Sequence, residues 1–200
     1  MQQQASISPG FRDPVHQSQS AFRAAMQAMA RPGHIVDLKP GFVPPAPLSA
    51  PAAALLLTLC DFETTVWLDP ELADTAGVRE FLRFHTGARI VAAPGDATFA
   101  VVSNAQRMPP LASFAQGTPE YPDRSTTLIV SVRTLGTGGW KLTGSGIRDH
   151  VSVSAEPLPA DFPGQVRANR AQFPRGVDII LTTPDAIVAL PRSVMLTEVS

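Results

Sequence analysis

Thr126-Thr127-Leu128-Ile129-Val130-Ser131-Val132 decides the fold. The stretch is β-branched almost throughout and apolar on both faces, the composition of a strand buried between two layers. It is expected at the centre of a sheet. Upstream, Ile90-Val91-Ala92 and Thr98 to Ser103 read as strands separated by a Pro94-Gly95 turn, and Val66-Trp67-Leu68 as a short strand ended by an Asp69-Pro70 turn. Helical patterns lie between them. Val78 to Phe84 sets Phe81, Leu82 and Phe84 among charges, and Ala52 to Leu59, behind Ser49 and Pro51, reads as a capped helix deep in the core. Earlier still, His34 to Leu38 alternates as a strand before an extended, proline-rich crossing. Phe22, Ala25, Met26 and Met29 recur at helical spacing, from a cap at Ser18 or Ser20 to a stop at Pro32-Gly33. Residues 1–16, polar and punctuated by Pro and Gly, are expected to form a flexible N-terminal arm ahead of one domain over 17–200.

Downstream, Gly136 to Gly139 is expected to turn the central strand into a hairpin with Trp140-Lys141-Leu142-Thr143. Val151-Ser152-Val153 alternates as a strand, and a helix follows from Asp161 to about Gln172. Val177 to Leu181 and Ile187 to Leu190 add two strands across Pro184-Asp185. Helices alternate with strands early and strands crowd later, which defines an α/β fold: a single domain with a mixed β-sheet flanked by helices.

Composition narrows the function. With 44% apolar residues and 16 basic against 17 acidic side chains, the chain reads as a soluble globular domain without the clustered basic surface that nucleic acid requires. The apolar run Ala52 to Leu57 is far short of the roughly 20 residues of a membrane span, and Met1-Gln2-Gln3-Gln4 does not begin a secretory signal, so a cytoplasmic location is expected. One cysteine, Cys60, supplies neither an internal disulfide nor an iron–sulfur cluster. The four histidines fall in no ligand spacing, and no dedicated metal site is expected. Only Lys39 and Lys141 are lysines, the first on the proline-rich crossing and the second in a strand. Neither is placed to form the Schiff base of pyridoxal phosphate (PLP) chemistry.

Several constellations are open to two readings. Gly144-Ser145-Gly146-Ile147 is a plain turn or an anion or partner contact; it has neither the third glycine of a dinucleotide fingerprint nor the Gly-Lys-Ser/Thr of a P-loop. His85 closes a helix, where an imidazolium complements the dipole. Asp61 and Glu63 straddle Phe62 as an acid/base pair or as solvated loop acids. Ser125, Ser145 and Ser193 have no partner that would activate a hydroxyl. Arg124, before the central strand, and Arg192, after a later one, are the anion candidates, with a structural salt bridge as the other reading.

The set of segments resembles the PhnH family, a subunit of the bacterial carbon–phosphorus lyase machinery for phosphonate breakdown. The resemblance is carried by Phe22-Arg23, Ala28-Met29-Ala30-Arg31-Pro32-Gly33, Leu57-Thr58-Leu59-Cys60-Asp61, Leu82-Arg83-Phe84-His85-Thr86 and Ala97-Thr98-Phe99-Ala100-Val101. It continues through Pro119-Glu120, Thr126-Thr127-Leu128-Ile129, Leu142-Thr143-Gly144-Ser145-Gly146-Ile147, Gly176-Val177-Asp178-Ile179-Ile180-Leu181 and Ala189-Leu190-Pro191-Arg192, in order from about residue 16 to residue 193. It implies a fold similar to the large domain of PLP-dependent transferases, without PLP or an iron–sulfur cluster in this chain. It also implies a homodimer when isolated, and a place beside PhnG, PhnI and PhnJ-type subunits in a core complex. That complex helps convert ATP and methylphosphonate to α-D-ribose 1-methylphosphonate 5-triphosphate. The subunit is expected to be mainly structural or accessory and not active alone. The alternative is a catalytic or binding contribution through a phosphonate, phosphate or triphosphate pocket at a subunit interface. No catalytic residue carries over. Arg31, His85, Arg124, Gly144, Gly146 and Arg192 mark the loops expected to form such a pocket or surface.

Overall fold

The structure, a computed structural model, describes residues 7–198. The first helix, α1 (Pro14–Ala30), begins earlier than Ser18 or Ser20: Asp13 caps it by accepting from the His16 amide, and Pro14 fills the first turn, where no donor is needed. That amide also holds the Asp13 carboxyl below the usual carboxylate range. The boundary expected at residue 16 therefore falls inside a helix, and Phe11 ahead of it packs edge-on against Phe42 at 5.4 Å. Residues 1–6 of the expected arm lie outside the described residues.

The buried face of α1 is the expected one only in part: Ala25 is buried and Met29 packs against the core, but the face is rotated toward the alanines. Ala21, Ala24, Ala25 and Ala28 face inward onto α2 (Ala50–Leu59), while Phe22 and Met26 are half exposed. Small side chains let the two helices approach closely, and α2, capped by Ser49, buries Pro51 to Leu56 completely enough to form the middle of the core. Three helices follow later in the chain: α3 (Pro70–Asp74), α4 (Ala76–Thr86) and α5 (Phe162–Ala171).

The strands are β1 (Val36–Asp37), β2 (Thr65–Leu68), β3 (Arg89–Val91), β4 (Phe99–Val102), β5 (Thr127–Ser131), β6 (Thr134–Thr143), β7 (Val151–Glu156), β8 (Asp178–Thr182), β9 (Ala186–Leu190) and β10 (Met195–Glu198). Seven form a mixed sheet in the order β1-β9-β8-β5-β4-β2-β3, with β3, β2, β4, β5 and β8 mutually parallel and β9 antiparallel to its neighbours. β5 is the fourth of the seven, at the centre of the sheet as its composition requires. Ile129 on one of its faces packs with α1, α2 and α4; Leu128 and Val130 on the other pack with α5 and the second sheet.

That second sheet, β10-β6-β7, corrects the expected hairpin. β6 does not fold back on β5. The Val132 amide donates to the Thr182 carbonyl in the large sheet, and the next amide, Arg133, donates to the Glu156 carbonyl in the small one. The chain thus changes sheets within one residue, and Gly136 to Gly139 is an irregularity inside β6, where the pairing with β7 shifts register. The turn of the hairpin lies instead between β6 and β7, at Gly144 to His150.

Candidate functional site

Three of the loops singled out in the sequence meet. The end of α1 (Ala30 to Gly33), the β6–β7 turn (Gly144 to Gly146) and the link from β9 to β10 (Pro191 to Val194) are packed so closely that added Cβ atoms collide. One on Gly146 would lie 2.5 Å from the Ala30 carbonyl oxygen, and one on Gly144 2.8 Å from that of Ser193. Both glycines have positive φ, 82° at Gly146 and 133° at Gly144. Their role is close approach of backbone to backbone, which fixes the junction between the two sheets. Arg31 stands exposed on its rim.

Arg192, within the β9–β10 link of this junction, is fully engaged. Its backbone amide and Nε donate to Asp178 Oδ1 at 2.8 and 3.2 Å, its Nη2 donates to Oδ2 at 2.5 Å, and its Nη1 donates to the Pro122 carbonyl. Both side chains are largely buried. Of its two readings, the geometry gives the salt bridge. His85 is distant from the junction and serves another contact: Nε2 lies 3.1 Å from the Ser8 carbonyl, and the ring packs on Phe81 and Phe84 with the chain at Gly10 against it. Asp61 Oδ1 accepts from the Glu63 and Thr64 amides, so the Asp61/Glu63 pair is a self-capped exposed loop. Burial pushes the neighbouring Cys60 thiol up to about 12. Arg124 lies over the Tyr121 ring at 4.1 Å, at the amino end of β5.

The opposite end of the sheet holds the better-formed site. From β2 the chain passes through α3 and α4 to β3 on one side, then returns to β4 on the other, so β2 and β4 diverge at a topological switch point. In parallel sheets ligands bind in the crevice beyond the carboxyl ends of such strands. Here a cleft of about 410 Å³ opens, lined by Glu71, Ser103, Asn104, Gln106, Ser131 and Arg133 among others. Buried Asp69 holds two of its lining residues, Ser103 and Asn104, in place. Its Oδ1 caps α3 at the Leu72 amide (3.0 Å), and its Oδ2 accepts from the Ser103 amide (2.7 Å), the Ser103 hydroxyl (2.8 Å) and the Asn104 amide (3.3 Å). Ser131 ends β5 with its hydroxyl 3.5 Å from that of Ser49 at the start of α2. Arg133 is exposed and has no side-chain partner among the described residues.

Arg133 was missed because Arg124 flanks the same strand; the carboxyl-end rule, applied to β5, would have selected the arginine after it. Neither Lys39 nor Lys141 lines the cleft. Among the described residues no group of three or more His, Cys, Asp and Glu is placed to hold a metal, and no helix is long and apolar enough to cross a membrane.

An α/β domain with this organisation is matched over residues 9–197 by the family described as bacterial phosphonate metabolism protein (PhnH). The chain belongs to that family. It is 43% identical over 199 residues, 98% of either chain, to the α-D-ribose 1-methylphosphonate 5-triphosphate synthase subunit PhnH of Rhizobium meliloti (strain 1021). It is 29% identical over 176 residues, 88% of this chain and 83% of the relative, to a protein of Stutzerimonas stutzeri named putative C-P lyase subunit protein HtxG.

Proposed function

We propose that the chain is an accessory subunit of a carbon–phosphorus lyase assembly that forms α-D-ribose 1-methylphosphonate 5-triphosphate, working beside PhnG, PhnI and PhnJ-type subunits in the cytoplasm. The relatives are named as subunits of such machinery. The observation that carries the reading is the outward face of α1. Val15, Phe22 and Met26 fall along one line of the helix, at 74%, 50% and 53% exposure, while the face toward the core is alanine. A helix that presents its large apolar residues to solvent and its smallest to the core is built to be covered by another chain.

A Phe22→Asp, Met26→Lys variant should fold as the parent does and fail to co-purify with its partner subunits. Retention of the assembly, or ribosyl transfer unchanged when the chain is omitted altogether, overturns the reading. The fold is further read as akin to the large domain of PLP-dependent transferases with the cofactor function lost, and the isolated chain as a homodimer.

A second reading is favoured by the switch-point cleft: Arg133 and the hydroxyls of Ser103 and Ser131 touch a phosphonate or phosphate group when the assembly is complete. Arg133→Ala should then reduce turnover far more than it weakens assembly, whereas equal losses reject this version.

A further inference from the structure

We propose that the groove between α4 and the edge strand β3 binds a polyphosphate chain. Ala76, Arg79, Glu80 and Arg83 lie one turn apart along α4 and face Gly87, Ala88, Arg89 and Ile90, enclosing about 420 Å³. Three of these residues are arginines and one is a carboxylate. Arg79 is tethered, its Nη1 donating to the Ala73 carbonyl at the end of α3. Arg83 and Arg89 are exposed and have no side-chain partner among the described residues.

Glu80, at i and i+3 to Arg83, offsets one cation. Arg79 and Arg83 at i and i+4 still repel one another and Arg89 brings a third cation against them from the strand, so the grouping keeps an excess of positive charge that does not favour folding. An edge strand does gain from a charged residue, which discourages pairing with other chains. That accounts for Arg89 but not for two arginines on the neighbouring helix. A bound anion accounts for all three. The guanidinium fork matches phosphate oxygens in pairs. Arg79 and Arg83 are spread over about 6 Å of helix axis, with Arg89 opposite, a span longer than one phosphate group and suited to a di- or triphosphate. The chain as a whole is near neutral, so the excess charge is local to the groove. The proposal is independent of the accessory reading, since it concerns binding by the chain alone.

Isothermal titration of the purified chain at low salt tests it, with inorganic tripolyphosphate, ATP, orthophosphate and a glutamate-rich peptide as probes. Tripolyphosphate should bind at least tenfold more tightly than orthophosphate, and ATP should bind at least as well as tripolyphosphate if the nucleoside is also held, or equally if only the phosphates are read. The Arg83→Ala, Arg89→Ala double variant, whose side chains are exposed, should keep the parent's melting temperature and lose tenfold or more in affinity. Glu80→Gln should tighten binding. The proposal is overturned by any of three results: no tripolyphosphate binding, an affinity equal to that of orthophosphate or of the peptide, or full affinity in the double variant.

Discussion

Asp69 ties the carboxyl ends of β2 and β4 to the start of α3 with one buried side chain. Its two oxygens accept four hydrogen bonds, so exchanging one oxygen for an amide nitrogen sets a donor against donors. Asp69→Asn should cost about 2–3 kcal/mol, read as a lower urea midpoint, because buried amides lose their acceptor. The sequence showed this residue as the end of a strand. It also showed, unused, that Asp followed by Pro is the signature of a helix cap, which is what the structure contains. Cys60 links stability to alkaline pH. Its thiol is raised from 9.0 to about 12 by burial, so it stays protonated in the folded chain where the unfolded chain ionises. Stability linked to it is intact below about pH 9 and is lost as pH rises toward 12. Between those values a Cys60→Ala variant should lose less stability than the parent, and at pH 8 the native thiol should react with a disulfide reagent much more slowly than the unfolded one.

Elements were legible where one physical signal dominated. Ser49, Pro51 and the apolar run after them gave α2 because cap, first-turn proline and core face agree. α1 misled in part: Ala25 and Met29 do face the core, but Phe22 and Met26 were counted with them, and in a close helix pair the smallest residues point inward. The β6 register was hidden for another reason: a glycine cluster satisfies a turn and a strand irregularity equally, and only tertiary pairing distinguishes them. The true β6–β7 turn gives a direct test. Gly146→Ala would set a methyl group against the Ala30 carbonyl at positive φ and should destabilise by more than about 1 kcal/mol. Gly138→Ala, also at positive φ but with open space around it, should cost less. Comparing the two melting temperatures separates steric collision from backbone strain.

Across the whole molecule, the sheet centre and its helical cover were readable from β5 outward, whereas the small sheet was not. β10 pairs with β6 from far along the chain, and its four residues carry no local pattern strong enough to announce it. The candidate site divided in the same way. The junction loops were singled out by the resemblance and by their turn residues, as a pocket or surface and not as close packing, whereas the switch-point cleft and the arginine groove arise from residues that only the topology assembles. Native-state hydrogen exchange should follow this layering: amides of β5 and β8, paired on both sides and sealed between two layers, should exchange only through global unfolding. Those of the short edge strands β1 and β3 should open earlier. Early exchange in β5 would show that the large sheet does not unfold as one unit.

The alanine face of α1 also governs how its sequence is free to drift. Inward positions accept almost nothing larger than a methyl group, since any added bulk levers the helix away from α2, while on the proposed accessory role the aromatic and thioether positions answer to another molecule. On that role, substitutional freedom along this segment runs against what a hydropathy profile would rank as essential, and the two faces of the helix are under separate selection, one from the chain itself and one from its company.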